Sequence, residues 1–146
     1  MLQLNKIPKG EQKMAISMME AYGIELLKAN GISFEQLSEQ FKQNQGAFNI
    51  DENFDFTVLK SLYDTDFDTF KQAYTDIYTV KFMTINGLRN IMRMRFNIPI
   101  EQYETLETGN GLRNVPASES IEQQIRTIVS SNWNVERNGK TLTLFV

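Results

Sequence analysis

Apolar residues in this chain change their spacing several times, and each change marks an element. In residues 11–29, Ala15, Met18, Met19, Tyr22 and Leu26 fall at helical intervals on one stripe, which predicts an amphipathic helix. Asn30–Gly31 ends it, because both residues tolerate the left-handed backbone of a helix terminus. Ser33-Phe34-Glu35-Gln36 is a capping box that opens a second helix through Phe34, Leu37 and Phe41 to about residue 43. The polar span 44–55 predicts a loop, and 56–63, with Phe56, Leu59, Leu62 and Tyr63, a short helix. Asp64 or Asp66 then caps a helix carrying Phe67, Phe70, Tyr74, Ile77 and Tyr78, with acids in the first turn where the helix dipole favours them.

Residues 79–98 fit two periods. As a strand, Met92, Met94, Phe96 and Ile98 alternate with Arg93, Arg95 and Asn97. As a helix capped by Asn86 and stopped by Pro99, Leu88, Ile91, Met92 and Phe96 form the stripe. Helix propensity of Met, Leu and Arg favours the second. The stretch 99–117, with Gly109, Gly111 and Pro116, reads as loop. Ser118 or Ser120 then caps a helix with Ile121, Ile125, Ile128 and Val129 on one face. Trp133 and Val135 alternate up to Asn138–Gly139, and Leu142, Leu144 and Val146 alternate after it. Asn–Gly between alternating runs predicts a hairpin, with two positive-φ residues in a type I′ turn.

These elements define one α+β domain over 1–146, mostly helical, ending in a helix and an antiparallel β-hairpin. Its expected core is Met18, Tyr22, Leu26, Leu37, Phe41, Leu59, Phe70, Tyr74, Ile77, Leu88, Ile125, Ile128, Trp133, Val135, Leu142 and Leu144. At 146 residues and 41% hydrophobic composition the chain has enough apolar surface to fold unaided. It has no Cys and no His. Disulfides, thiolate nucleophiles, zinc–thiolate sites and imidazole general bases are thereby excluded. No apolar run reaches the roughly 20 residues of a membrane span, and Met1–Glu11 lacks the apolar stretch of a signal peptide. A cytoplasmic setting without membrane partner or cofactor is the resulting expectation, and the many Asn, Gln and Lys residues fit an AT-rich bacterial or phage genome.

Charge is unevenly spread. Residues 31–78 carry three Lys against nine acids, whereas 79–98 carry Lys81, Arg89, Arg93 and Arg95 and no acid. Arginines on one face suit phosphate or carboxylate recognition. On a helix Arg89 and Arg93 share a face and Arg95 points elsewhere; on a strand Arg93 and Arg95 share one. The plainer alternative is pairing of these arginines with the acids of 64–76. A pentapeptide, Asn86-Gly87-Leu88-Arg89-Asn90, recurs as Asn110-Gly111-Leu112-Arg113-Asn114. Two matched Asn–Gly turns, each presenting one arginine, would offer a nest for an anion.

Two acidic clusters complete the inventory. Asp64-Thr65-Asp66-Phe67-Asp68 opens like a calcium loop, but Thr69 and Thr75 stand where Gly and Glu belong. Asp51, Glu52 and Asp55 could hold magnesium in a carboxylate-dependent enzyme, against the plainer reading of a solvated loop. The terminal helix and hairpin resemble the end of a winged-helix domain, which implies phosphate contacts by Arg137 and Lys140 beside the turn.

The leading expectation is a non-enzymatic regulatory or accessory protein that binds another protein. Its candidate partner- or anion-binding residues are Arg89, Arg93, Arg95, Arg113, Met92 and Met94, and adaptable methionine contacts are part of that surface. The alternative is a nucleic-acid-binding regulator using residues 81–95, although a net charge of −3 opposes phosphate attraction. A homodimer through the hairpin edge is a further expectation.

Overall fold

The computed structural model describes residues 14–43 and 54–146. The fold is α+β, with six α-helices among the described residues and a four-stranded antiparallel sheet that ends in a C-terminal hairpin. Helix α1 (Met18–Ala29) begins later than its apolar spacing predicts. Ser17 and Glu20 form a capping box, Ser17 Oγ accepting from the Glu20 amide at 3.1 Å and Glu20 Oε1 from the Ser17 amide at 2.8 Å. Ala15–Ile16 just before it is strand β1.

The buried face of α1 also differs from the expected stripe. Ala21, Ile24 and Leu27 are fully enclosed, while Met19 is 56% exposed and Met18, Tyr22 and Leu26 are half-buried. Small residues sit where neighbours approach most closely. A Cβ on Gly23 would lie 2.8 Å from the Phe54 ring and 3.0 Å from Leu59, so the helix turns its least bulky side to that contact.

Helix α2 (Phe34–Lys42) starts at the Ser33–Gln36 capping box, and Gly31 at φ 78° precedes it. Helices α3 (Thr57–Thr65) and α4 (Phe67–Thr75) meet at Asp66, which ends the first and caps the second. Its carboxylate accepts from the Thr69 amide and hydroxyl, at 3.3 and 2.8 Å. Asp64 pairs with Lys60 instead of facing a cation site. Phe34, Phe41, Tyr63, Phe70 and Tyr74 form an aromatic cluster joining α2, α3 and α4.

Strand β2 (Thr79–Val80) pairs in parallel with β1. Each strand leads into a helix, β1 into α1 and β2 into α5 (Ile85–Phe96). The helical reading of 79–98 therefore holds, but Thr84 is the cap, its hydroxyl accepting from the Gly87 amide at 3.0 Å. Asn97 in the left-handed region, φ 57°, ends α5 two residues before Pro99. The two helices run side by side, Met18 lying over Gly87 and Glu25 bonding Arg95.

The stretch 99–117 is not loop. A 3-10 turn (Ile100–Gln102) leads into β3 (Glu104–Thr105), and β4 (Gly111–Pro116) follows. Helix α6 (Glu119–Ile128), capped by Ser118, leads to β5 (Asn134–Asn138) and β6 (Thr141–Phe145). The sheet order is β3-β4-β6-β5. Asn138 pairs with Thr141, so the hairpin loop is Gly139–Lys140. Only Gly139, at φ 66°, has positive φ there; the first loop position alone needs it, as in a type II′ turn and not the expected I′.

One buried hydrophobic cluster runs from Ile16 to Leu144 through helices and sheet. Of the expected core, Met18, Leu26, Ile77 and Val135 pack against it only partly buried, and the rest apart from Tyr22 are inside it. The loop before α5 is pinned to the C-terminal part of the chain. Trp133 Nε1 donates to the Met83 carbonyl and the Met83 amide to Ser130 Oγ, both at 3.0 Å. No helix of the described residues is long and apolar enough to cross a membrane.

Candidate functional site

Helix α5 sorts its arginines by angle. Leu88, Ile91 and Met92 point into the core, which leaves Arg89 and Arg93, one turn apart, on the outer side. Arg95 turns inward toward α1. Its Nη1 donates to Glu25 Oε2 at 2.9 Å, Nε to Gln124 Oε1 at 3.2 Å and Nη2 to the Asp76 carbonyl at 3.3 Å. Glu25 is 2% exposed and also accepts from the Tyr78 hydroxyl at 2.5 Å. Arg95 is thus a largely buried structural cation, withdrawn from the candidate contact surface. Met92 is withdrawn as well, at 0% exposure; Met94 is half-buried.

The plainer expectation, arginines paired with the acids of 64–76, is also corrected. Among the described residues no ion pair joins the two segments, and Arg95 reaches only a main-chain carbonyl there. Three of these acids are engaged locally: Asp64 pairs with Lys60, Asp66 caps α4, and the Asp76 carboxylate accepts from Gln72.

The two pentapeptide copies adopt different structures. Asn86–Asn90 is the first turn of α5, and Asn110–Asn114 enters β4. Neither glycine has positive φ; each allows a close approach instead, Gly87 to Met18 and Gly111 to the Leu144 carbonyl. Paired Asn–Gly turns do not form. Both arginines nevertheless reach the same short strand. Arg113 holds Glu104 through Nε and Nη2, at 3.0 and 2.8 Å. Arg89 Nη2 donates to Thr105 at 2.6 Å.

Around Arg89 the acceptors are all neutral. Nη1 goes to Asn86 Oδ1 at 2.8 Å, Nη2 to the Thr105 hydroxyl, and Nε is buried with no partner. Arg93 donates to Asn90 Oδ1 at 3.1 Å. Among the described residues neither arginine has an ion pair. Tyr103, 7% exposed, brings a hydroxyl that is likewise buried without a partner. Burial raises its pKa, while the positive charges of Arg89 and Arg93 pull it down and Glu101 pushes it up. Sequence reading identified Arg89 and Arg93 as surface candidates but not Tyr103 or Thr105, whose segment it took for loop. The hidden Glu25–Arg95–Tyr78 network also left no trace in periodicity.

Of the two wing residues, Lys140 is exposed and Arg137 is committed elsewhere. Arg137 donates to Glu122 at 2.5 Å and to the carbonyls of Gly139, Ala117 and Ser118. Arg126 binds Glu122 and the Val135 carbonyl, taking an acceptor on edge strand β5. Both guanidiniums hold the Glu122 carboxyl below its ordinary range, Arg137 more strongly. Of the acidic cluster Asp51, Glu52 and Asp55, the first two lie outside the described residues; Asp55 accepts from the amide and hydroxyl of Thr57. No group of three metal-ligating side chains occurs among the described residues. An open depression of about 460 Å³ lies along α6, lined by Ile77, Glu119, Ser120, Gln123, Gln124 and Thr127.

The buried phenols give the fold an alkaline limit. Burial, then the Glu25 charge and its hydrogen bond, raise the Tyr78 pKa well above 10.0 against the pull of Arg95. Burial and Glu25 raise Tyr74 too. A phenol raised by folding contributes stability that is complete below pH 10.0 and is lost as pH climbs past it. Lys28, lowered chiefly by burial and then by Arg95, acts in the opposite sense, but it is half-exposed and the phenols dominate. Thermal melts should show Tm falling as pH rises above about 10, with the fall flattened in Tyr78→Phe. A Tyr78→Phe profile parallel to that of the unaltered protein would contradict this.

Comparison with protein-family models, curated proteins and solved structures finds no match for the chain.

Proposed function

We propose that the chain is a non-enzymatic regulatory or accessory protein that acts by binding another protein, with the Arg89–Arg93 face of α5 as its contact. One observation carries the reading: two guanidiniums, a helical turn apart, bonded only to neutral amide and hydroxyl groups. Guanidinium groups match carboxylates and phosphates in short, frequently bidentate hydrogen bonds that a neutral acceptor does not offer, so this face favours an anionic counterpart. A chain with neither imidazole nor thiol is poorly equipped for acid–base or nucleophilic work. Two exposed apolar residues, Phe82 at 81% and Met19 at 56%, add contact area to the same molecule.

Nucleic acid is the weaker counterpart. Affinity for a phosphate backbone comes from several cations along a track. Here the exposed acids Glu101, Glu104 and Glu107 follow close in the chain in and around β3, and Arg126 and Arg137 are tied into Glu122.

The test uses the whole tagged protein and its Arg93→Glu variant, since Arg93 is exposed and outside the core. A protein retained from lysate by the first is identified, purified and titrated against both. The charge reversal should weaken binding at least about tenfold, equivalent to about 1.4 kcal/mol. Equal binding by the variant removes this face from the function. Retention of duplex DNA, lost steeply with salt and lost in Arg93→Glu, would transfer the reading to nucleic acid.

A further inference from the structure

Arginine side chains elsewhere in the molecule show how this protein satisfies a guanidinium. Nε of Arg113, Arg126 and Arg137 lies on a carboxylate, and Nε of Arg95 on the Gln124 carbonyl. In Arg113 the Nε and Nη2 edge grips one glutamate from the side. The same edge of Arg89 has the Thr105 hydroxyl on Nη2 and nothing on Nε. A buried donor without an acceptor costs about 1–3 kcal/mol, so its retention asks for a reason.

The second buried, unpartnered polar atom belongs to the same corner. Tyr103 directly precedes β3, and strand alternation puts it on the side of Thr105, which is the side Arg89 reaches. Arg93 stands one turn further along α5 with a single neutral partner. Both residues of β3 are exposed, and the strand is only two residues long, so displacing the Thr105 hydroxyl from Arg89 opens the site at little cost.

We propose that Arg89, Arg93 and Tyr103 form a binding site for one oxyanion, a carboxylate or a phosphate carried by the partner. The Nε–Nη2 edge of Arg89 takes one of its oxygens side-on, as the same edge of Arg113 takes Oε1 of Glu104. The Tyr103 hydroxyl donates to the oxyanion as well, and Arg93 adds charge from the exposed side. Thr105 yields its place on Nη2 to the stronger acceptor. This site rests on the reading of α5 as a protein-binding face and names the group recognised there.

The experiment follows the arginine Nε–H and tyrosine ring resonances of the full chain while inorganic phosphate or acetate is added. Saturable movement of the Arg89 Nε–H is expected. Tyr103→Phe should weaken that binding about three- to tenfold, the worth of one hydrogen bond, while its Tm stays level or rises. A hydroxyl with only a structural role would leave anion affinity untouched, so the variant separates the two. Tighter phosphate binding would point to a phosphorylated side chain, and acetate binding of equal or greater strength to an acidic residue or chain terminus. Shifts that grow linearly at all arginines alike, or a Tyr103→Phe variant that titrates like the unaltered protein, would overturn the site. If these fail while Arg93→Glu still loses the partner, only the oxyanion site falls; if Arg93→Glu keeps the partner, the face falls with it.

Discussion

Glu25→Ala should cost about 3–5 kcal/mol of folding stability, the range for removing one member of a buried ion pair. Glu25 is 2% exposed and is the shared acceptor of Arg95 and Tyr78. Without it the Arg95 guanidinium, whose side chain is 14% exposed, keeps only the amide of Gln124 and the carbonyl of Asp76. The Tyr78 hydroxyl loses its acceptor in a site closed to water. Arg95→Met should be similarly damaging, because it leaves the carboxylate buried with a single phenol. The pair changed together, Glu25→Met with Arg95→Met, should cost far less than the sum, since no charge is then stranded. Urea unfolding of the four proteins gives the coupling directly. Additive losses, or a Glu25→Ala loss under about 1 kcal/mol, the scale of an exposed pair, would show that the network does not hold α1 against α5.

The same pair shows where sequence reasoning reaches its limit. Helix caps are local, so Ser33 was legible from a few neighbouring residues, and Asp66 and Ser118 each as one of two candidates. Glu25 and Arg95 are 70 positions apart, and nothing in either helix's period says that these two charges face inward together. Strand β4 failed for a different reason. Leu112 pairs with Leu144 and Val115 with Leu142, so Arg113 and Asn114 together oppose the single Thr143 and the register shifts between them. Asn114, at φ 60°, absorbs the extra residue as a bulge. The bulge places Leu112 and Val115 both inward at a spacing of three, which erases the alternation that marks a strand. Tyr103 and Thr105 were lost with that segment. Arg89 and Arg93 were legible as a shared face because helical spacing alone relates them, whereas Thr105, the partner of Arg89 outside α5, comes from β3.

Phe70→Ala should cost about 3–5 kcal/mol, the usual price of emptying a large aromatic site. Phe70 is 0% exposed. Its ring centroid lies 6.1 Å from Phe34, 6.3 Å from Phe41, 5.8 Å from Tyr63 and 5.8 Å from Tyr74. Those four rings come from α2, α3 and α4, so one side chain joins three nine-residue helices that are too short to be stable alone. Rigid rings collapse poorly into a void, which keeps the cavity term large. Phe67, three residues earlier on the same helix, supplies the control. It also contacts Phe34 and Tyr63, at 6.0 and 5.1 Å, but is 41% exposed. Phe67→Ala should therefore cost only about 1 kcal/mol, the scale of aromatic pairing with little burial. Denaturant midpoints of the two variants decide the matter: similar losses would mean that ring contacts, and not enclosure by three helices, hold this end of the molecule together.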